Sequence, residues 1–269
     1  MNTKNALEIN HLYCGYSQKF HVRDVSFVVP KGKLTSIVGP NGAGKTTLFR
    51  AITKMLPLQK GEILLHGKSI FDLNHKALAQ QIAIVNQTVE ADFITIEDYV
   101  LMGRFPYRST WQLFERGEDF AIAEENMRLT GIWEKREKHM NQLSGGEQQL
   151  AAIARALTQQ TGVLLLDEPT SHLDISHQMR ILNLVQRLNQ ERGITVLLII
   201  HDLNLASEFS DWLIMLKQGQ VHAMGNPNEV LNYENIENVY NTIVVTQKNP
   251  LSGKPCVFPV SDRCYHEGK

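Results

Sequence analysis

The sequence predicts an α/β protein built on a parallel sheet with helices on both faces, a small antiparallel strand region, and an inserted helical lobe. Three observations predict it. Two short apolar runs, Val163 to Leu166 and Ile194 to Ile200 with Thr195 as its one polar residue, are each followed by acidic or histidine residues and then by helical spacing, as in strands buried on both faces. A glycine-rich loop separates the strand pattern Leu34 to Val38 from the helical pattern Leu48 to Ile52. Between these regions, residues from 88 to 141 lose β-branched character and take helical spacing.

Along the chain, β-branched runs come first: Val22 to Val29, Leu34 to Val38 and Glu62 to Leu65, punctuated by Pro30-Lys31-Gly32 and by Gly67. They read as a small sheet around the glycine loop. In the middle, Gly103-Arg104-Phe105-Pro106 reads as a loop, and Phe120, Ala123, Met127 and Gly131 as one helical face. A later helix is marked by Leu150, Ile153, Ala154 and Leu157. In such sheets ligands sit at the carboxyl ends of the strands, and every motif below falls at one. The expected organisation is one domain over residues 5–245, its helical lobe at 88–158, and a polar, proline-containing, loosely packed tail over 246–269.

Composition bounds the function. The 269 residues are 43% hydrophobic and 20% charged, enough for a sizeable core, and the formal net charge of −1 supplies no positive field for nucleic acid. Cys14, Cys256 and Cys264 form no CxxC pair, which fits free thiols in a reducing compartment. The start, Met1-Asn2-Thr3-Lys4-Asn5, leads into no apolar signal core, and Ile194 to Ile200 falls far short of the ~20 residues a bilayer requires. The expectation is a cytosolic chain, or one held at a membrane by a partner.

Gly39-Pro40-Asn41-Gly42-Ala43-Gly44-Lys45-Thr46-Thr47 fits GxxxxGK[ST] in the required strand, loop and helix context. Glycines let successive N–H groups converge on a β-phosphate at the positive end of a helix. Lys45 neutralises β and γ oxygens, and the Thr46 hydroxyl ligates Mg²⁺. Alone, this motif says only that a nucleoside triphosphate binds.

Leu143-Ser144-Gly145-Gly146-Glu147 opens the later helix with an S-x-x-E capping box. Val163-Leu164-Leu165-Leu166-Asp167-Glu168-Pro169-Thr170 follows it. A capping box is common and a strand-end Asp-Glu is often a turn, but with the phosphate loop upstream, in this order, the set resembles the ATP-binding-cassette family over residues 5 to 230. The fold implied is a P-loop NTPase of the ABC type.

The resemblance implies an ATPase in which two copies of the chain sandwich two ATP molecules, Ser144, Gly145 and Gly146 of one copy facing the γ-phosphate held by Gly39 to Thr47 of the other. It implies Asp167 as a Mg²⁺ holder, Glu168 as base or positioner of the attacking water, and His201 as the switch residue on the γ-phosphate. Gln87 matches the lid glutamine that senses Mg²⁺ and the membrane partner, although Asn86 stands where the family has proline. Tyr16 matches the aromatic that stacks on adenine, with Tyr13 as competitor, and Ser171 to Asp174 the dimer-contact loop.

With one cassette, no heptads, and no encoded membrane helices, the resemblance narrows to an importer assembled from separate subunits. Leu101 to Arg104 with Pro106, Ser171 to Gln178, His201-Asp202-Leu203-Asn204 and Asn249 to Pro255 look like the group serving iron-siderophore complexes, haem and cobalamin. Importers of zinc, manganese or molybdate, and exporters of separate subunits, stay open. The implied partners are a second copy of the chain, two permease subunits docking near residues 88 to 110, and indirectly an extracytoplasmic binding protein. The implied place is the cytoplasmic face of the membrane.

Overall fold

The computed structural model describes residues 4–17, 20–88, 93–109 and 115–261, so Cys264 and the chain's last residues lie outside it. Two compact units divide the chain, Met1–Ile70 with Leu197–Lys269, and Phe71–Val196.

The first unit opens with β1 (Asn5–Ser17), β2 (Phe20–Pro30), β3 (Leu34–Val38), α1 (Lys45–Ile52), β4 (Leu58–Leu65) and β5 (Lys68–Ser69). An antiparallel sheet in the order β2-β1-β4-β5 takes in two of the three runs expected in the small sheet, β2 and β4, with β1 between them, whereas the third, β3, is wholly buried and pairs in parallel elsewhere. Period-two reading passes over β1 because its buried positions change phase, from Leu7 and Ile9 to Leu12 and Cys14. The pairing with β2 slips between Ile9 and Leu12, and His11 there takes a left-handed φ of 47°. Such a bulge puts one extra residue into the strand and turns the following side chains over. Gly61 faces it on β4: a Cβ there would stand 2.3 Å from the His11 carbonyl oxygen.

The second unit holds α2 (His75–Ala79), β6 (Ile82–Val85), α3 (Ile96–Leu101), α4 (Gly117–Thr130), α5 (Gly145–Thr158), β7 (Val163–Asp167), α6 (Ile175–Arg192) and the start of β8 (Thr195–Ile199). β6 and β7 pair in parallel, Ile82 opposite Val163, and every residue of β7 is buried. α3, α4 and α5 pack on one another as the helical lobe.

Two details of the lobe differ from the sequence reading. Gly103 to Pro106 is wound into a 3-10 helix, Met102–Tyr107, rather than a loop. The buried side of α4 is Asp119, Ala123, Asn126, Met127 and Thr130, while Phe120 stands half exposed. The cause is a polar knot: buried Arg104 donates to Asp119 at 2.8 Å, to the Thr158 carbonyl and to Gln160. A buried guanidinium needs a carboxylate, so the inner face of α4 is set by Asp119 and not by its neighbouring aromatic.

The chain returns to the first unit with the end of β8, then α7 (Leu203–Phe209), β9 (Trp212–Lys217), β10 (Gln220–Gly225), α8 (Pro227–Val230), α9 (Tyr233–Tyr240), β11 (Val244–Lys248) and β12 (Pro255–Pro259). β3 pairs in parallel with β9, and β10 adds antiparallel to β9. Every residue of β3 and β8 is buried. The segment from 246, expected to be loosely packed, instead begins inside a strand: β11 and β12 form a regular antiparallel hairpin, Val244 opposite Pro259. Its polar composition reflects bonds to α7, described below. Among the described residues no helix is long and apolar enough to cross a membrane.

Candidate functional site

In the first unit the phosphate loop joins β3 to α1. Gly39 has φ 148°, and a Cβ on it would lie 2.4 Å from the Leu216 carbonyl oxygen, so neither backbone shape nor space admits a side chain. Gly44 is left-handed at φ 101° and caps α1 with no side chain, which leaves the first N–H groups of the helix facing outward. Thr46 and Thr47 stand in that first turn, and Asn41, Gly42 and Ala43 form the loop's crest. The Lys45 ammonium donates to the Gly39 carbonyl at 2.8 Å and to that of Pro40 at 3.1 Å, so it folds back over the loop.

Tyr16 is 57% exposed, and Arg50 of α1 lies over its ring and donates to its hydroxyl. This ties the exposed aromatic to the helix that follows the phosphate loop, while Tyr13 turns to Lys60. His201 is exposed just past the end of β8, followed by Asp202, whose carboxylate caps α7.

In the second unit β7 ends at buried Asp167. Glu168 then takes a left-handed backbone at φ 51°, a conformation costing roughly 1–2 kcal/mol for a residue with a side chain. The two carboxylates are therefore separated by a backbone reversal, beyond the simple alternation of a strand. Glu168 Oε2 accepts from the Gln87 amide nitrogen at 3.0 Å and from the Ser171 hydroxyl at 3.1 Å. Gln87 and Glu168, 81 residues apart in sequence, thus meet through a direct hydrogen bond that the sequence reading did not foresee.

Ser144 caps α5 with the full reciprocal box: its hydroxyl accepts from the Glu147 N–H, and Glu147 accepts from the Ser144 N–H. A Cβ on Gly145 would meet the Leu173 side chain at 3.6 Å. Gly146 lies under the His177 ring, where a Cβ would come within 2.4 Å of Cδ2. His177 is itself held by Asp174 at 3.0 Å, and Asp174 caps α6. The contact loop Ser171 to Asp174 therefore has Glu168 at one end and the Ser144-Gly145-Gly146 turn at the other. Sequence reasoning missed Arg50, Ser171 as a Glu168 partner, and Lys135, which bonds Glu147. No local pattern announces them.

The Lys135 ammonium, then the Ser144 N–H, push the Glu147 carboxyl from 4.5 down to about 2. A depressed carboxyl contributes stability in full above its unfolded value and loses it as pH falls through the folded one. The Glu147→Gln chain should therefore melt below the parent at neutral pH, and the gap should close between about pH 4.5 and pH 2. A gap unchanged in melting scans across that window would remove the assignment.

The family model described as ABC transporter matches residues 22–171. The chain is similar to the iron(3+)-hydroxamate import ATP-binding protein FhuC of Bacillus subtilis (strain 168), 39% identical over 252 residues, 93% of each chain. Its fold is similar to a chain of a metal-chelate type ABC transporter in an inward-facing conformation, with TM-score 0.85 and 25% identity over 97% of this chain and 99% of that one. It is also similar to a bacterial ABC transporter cassette solved as a dimer, with TM-score 0.72 and 29% identity over 82% of this chain and 98% of that one.

Proposed function

Since the chain belongs to the ABC transporter family and is an ATP-hydrolysing subunit of that kind, we propose that it powers the uptake of an iron chelate of the siderophore class. The observation that carries the cargo reading is its similarity, over nearly the whole of both chains, to the ATP-binding protein of an iron(3+)-hydroxamate importer. Haem and cobalamin, chelates of comparable bulk, are the neighbouring choices.

On this reading Gly39, Asn41, Gly42, Ala43, Gly44, Thr46 and Thr47 receive the β- and γ-phosphates on backbone N–H groups, and Lys45 exchanges its bonds to the Gly39 and Pro40 carbonyls for phosphate oxygens. Tyr16 offers its exposed ring to adenine. The donors assigned to Mg²⁺ are all hard oxygens, the Thr46 hydroxyl, the Asp167 carboxylate and the Gln87 carbonyl, which suits that ion; it would spread the charge of the β- and γ-phosphates. The Gln87 amide donates to Glu168 through nitrogen, which leaves its oxygen as the end that can face a cation.

Glu168, held by Gln87 and Ser171, orients a water and accepts its proton while the bond from the γ-phosphorus to the bridging oxygen breaks. His201 contacts the γ-phosphate. Ser144, Gly145 and Gly146 serve the nucleotide of a second copy of the chain, as the dimeric cassette among similar structures supports. The working assembly is then two copies beneath two permease subunits on the cytoplasmic face of the membrane, with an extracytoplasmic binding protein delivering cargo.

A strain lacking the chain should lose uptake of labelled ferric hydroxamate, haem or cobalamin, while uptake of free zinc and manganese stays at the parental level. Unimpaired uptake of all three chelates sinks the cargo reading.

A further inference from the structure

We propose that Asn204 is a positioning residue for His201, holding the link between β8 and α7 by fastening α7 to the C-terminal hairpin. The proposal rests on the reading of His201 as a γ-phosphate contact. α7 has only seven residues, far below the ~12 at which a helix stands alone in water, so its place is set by what it is tied to.

The ties are polar and lie along the side that faces the hairpin. Asn204 Oδ1 accepts from the Val257 N–H at 2.7 Å, and its Nδ2 donates to the Val257 carbonyl at 3.2 Å. A single amide side chain thereby pairs with β12 as a neighbouring strand would. One turn on, the buried Ser207 hydroxyl donates to the Pro255 carbonyl at 2.7 Å. At the far end Lys254 donates to the Glu208 and Ser210 carbonyls, and Ser252 donates to the Glu208 carboxylate.

His201 sits between two anchors. On one side the Ile200 N–H donates to the Ile37 carbonyl of β3, the strand that runs into the phosphate loop. On the other, the Asp202 carboxylate accepts from the N–H groups of Asn204 and Leu205, and Asn204 carries the load on to β12. His201 and the turn into α7 lie between these anchors. Release of Asn204 loosens the α7 end of this link at the point nearest His201, while Ser207 and Lys254 still hold the helix farther on.

The test is steady-state ATP hydrolysis by the full chain in a double-mutant cycle of Asn204→Ala and His201→Ala, with melting temperatures alongside. Asn204→Ala should lower kcat about tenfold, as one lost hydrogen bond's worth of placement, and leave the KM for ATP within about twofold. In the His201→Ala background the same change should add nothing further. Multiplicative losses in the double variant overturn the proposal, and so does an Asn204→Ala chain with parental kcat beside an impaired His201→Ala. If His201→Ala itself keeps the parental kcat, the reading of His201 has failed and this inference with it. Ser207→Ala loosens α7 from the hairpin at a distance from the link: if it lowers kcat equally at an equal loss of melting temperature, general loosening is the cause and the proposal falls. Should Asn204→Ala fail to fold, Asn204→Asp, which keeps the acceptor for the Val257 N–H, takes its place in the same cycle.

Discussion

Glu168→Gln is expected to stop turnover almost completely, with hydrolysis falling by about 10²- to 10⁴-fold while ATP still binds. Phosphoryl transfer to water passes through a loose transition state, so a carboxylate gains its rate by orienting the water and taking its proton. An amide can do only the first of these. Glutamine keeps the length and one acceptor oxygen, so the bonds from Gln87 and Ser171 can persist and the left-handed turn at residue 168 is not disturbed. The variant should therefore accumulate as a closed dimer with ATP trapped, visible as an earlier peak in size-exclusion chromatography with ATP and Mg²⁺. Asp167→Asn should behave differently, raising the Mg²⁺ concentration needed for nucleotide binding. A Glu168→Gln chain that turns over near the parental rate would assign the water to another group, with His201 first in line.

The second large effect is expected from a pair of variants, each inactive alone. Lys45→Ala should lose nucleotide affinity, because the phosphate loop keeps its glycine geometry but loses its cation. Ser144→Arg should bind ATP through its own phosphate loop yet hydrolyse about 10²-fold more slowly or worse, since bulk and positive charge replace the capped helix end offered to the opposite nucleotide. In a mixed dimer one of the two sites has its phosphate loop and its Ser144 turn both intact. Mixing the two chains should restore part of the activity that neither shows alone. Dimers verified as mixed by differential tags, and still inactive, would argue against sites shared between the two chains.

The candidate site was legible wherever its chemistry is local. The phosphate loop and the Ser144 turn are runs of adjacent residues whose backbone shape follows from their own glycines and caps, and the Asp167-Glu168 pair stands at the end of an apolar strand, although the left-handed backbone at Glu168 had no sign in sequence. What the sequence could not convey are pairings made across long stretches of chain: neither Gln87 to Glu168, 81 residues apart, nor Asn204 to Val257, 53 residues apart, has a local sign. The fold shows the same division. The largely apolar runs of β7 and β8 and the β-branched run of β3 were readable from composition, whereas β1 was hidden by the bulge at His11 that breaks its alternation. In the lobe, a search for apolar faces selected Phe120 over its neighbour Asp119, because nothing near in sequence announces that Arg104 is buried there.

The contact of Gly146 with the His177 ring also limits how this chain can change over generations. A methyl group at 146 has no room while an imidazole occupies 177, and that imidazole is pinned by Asp174, which in turn begins α6. Neither position is free to drift by itself. On packing grounds a side chain at 146 needs a smaller residue at 177, so the two positions, 31 residues apart in sequence, are coupled through one contact.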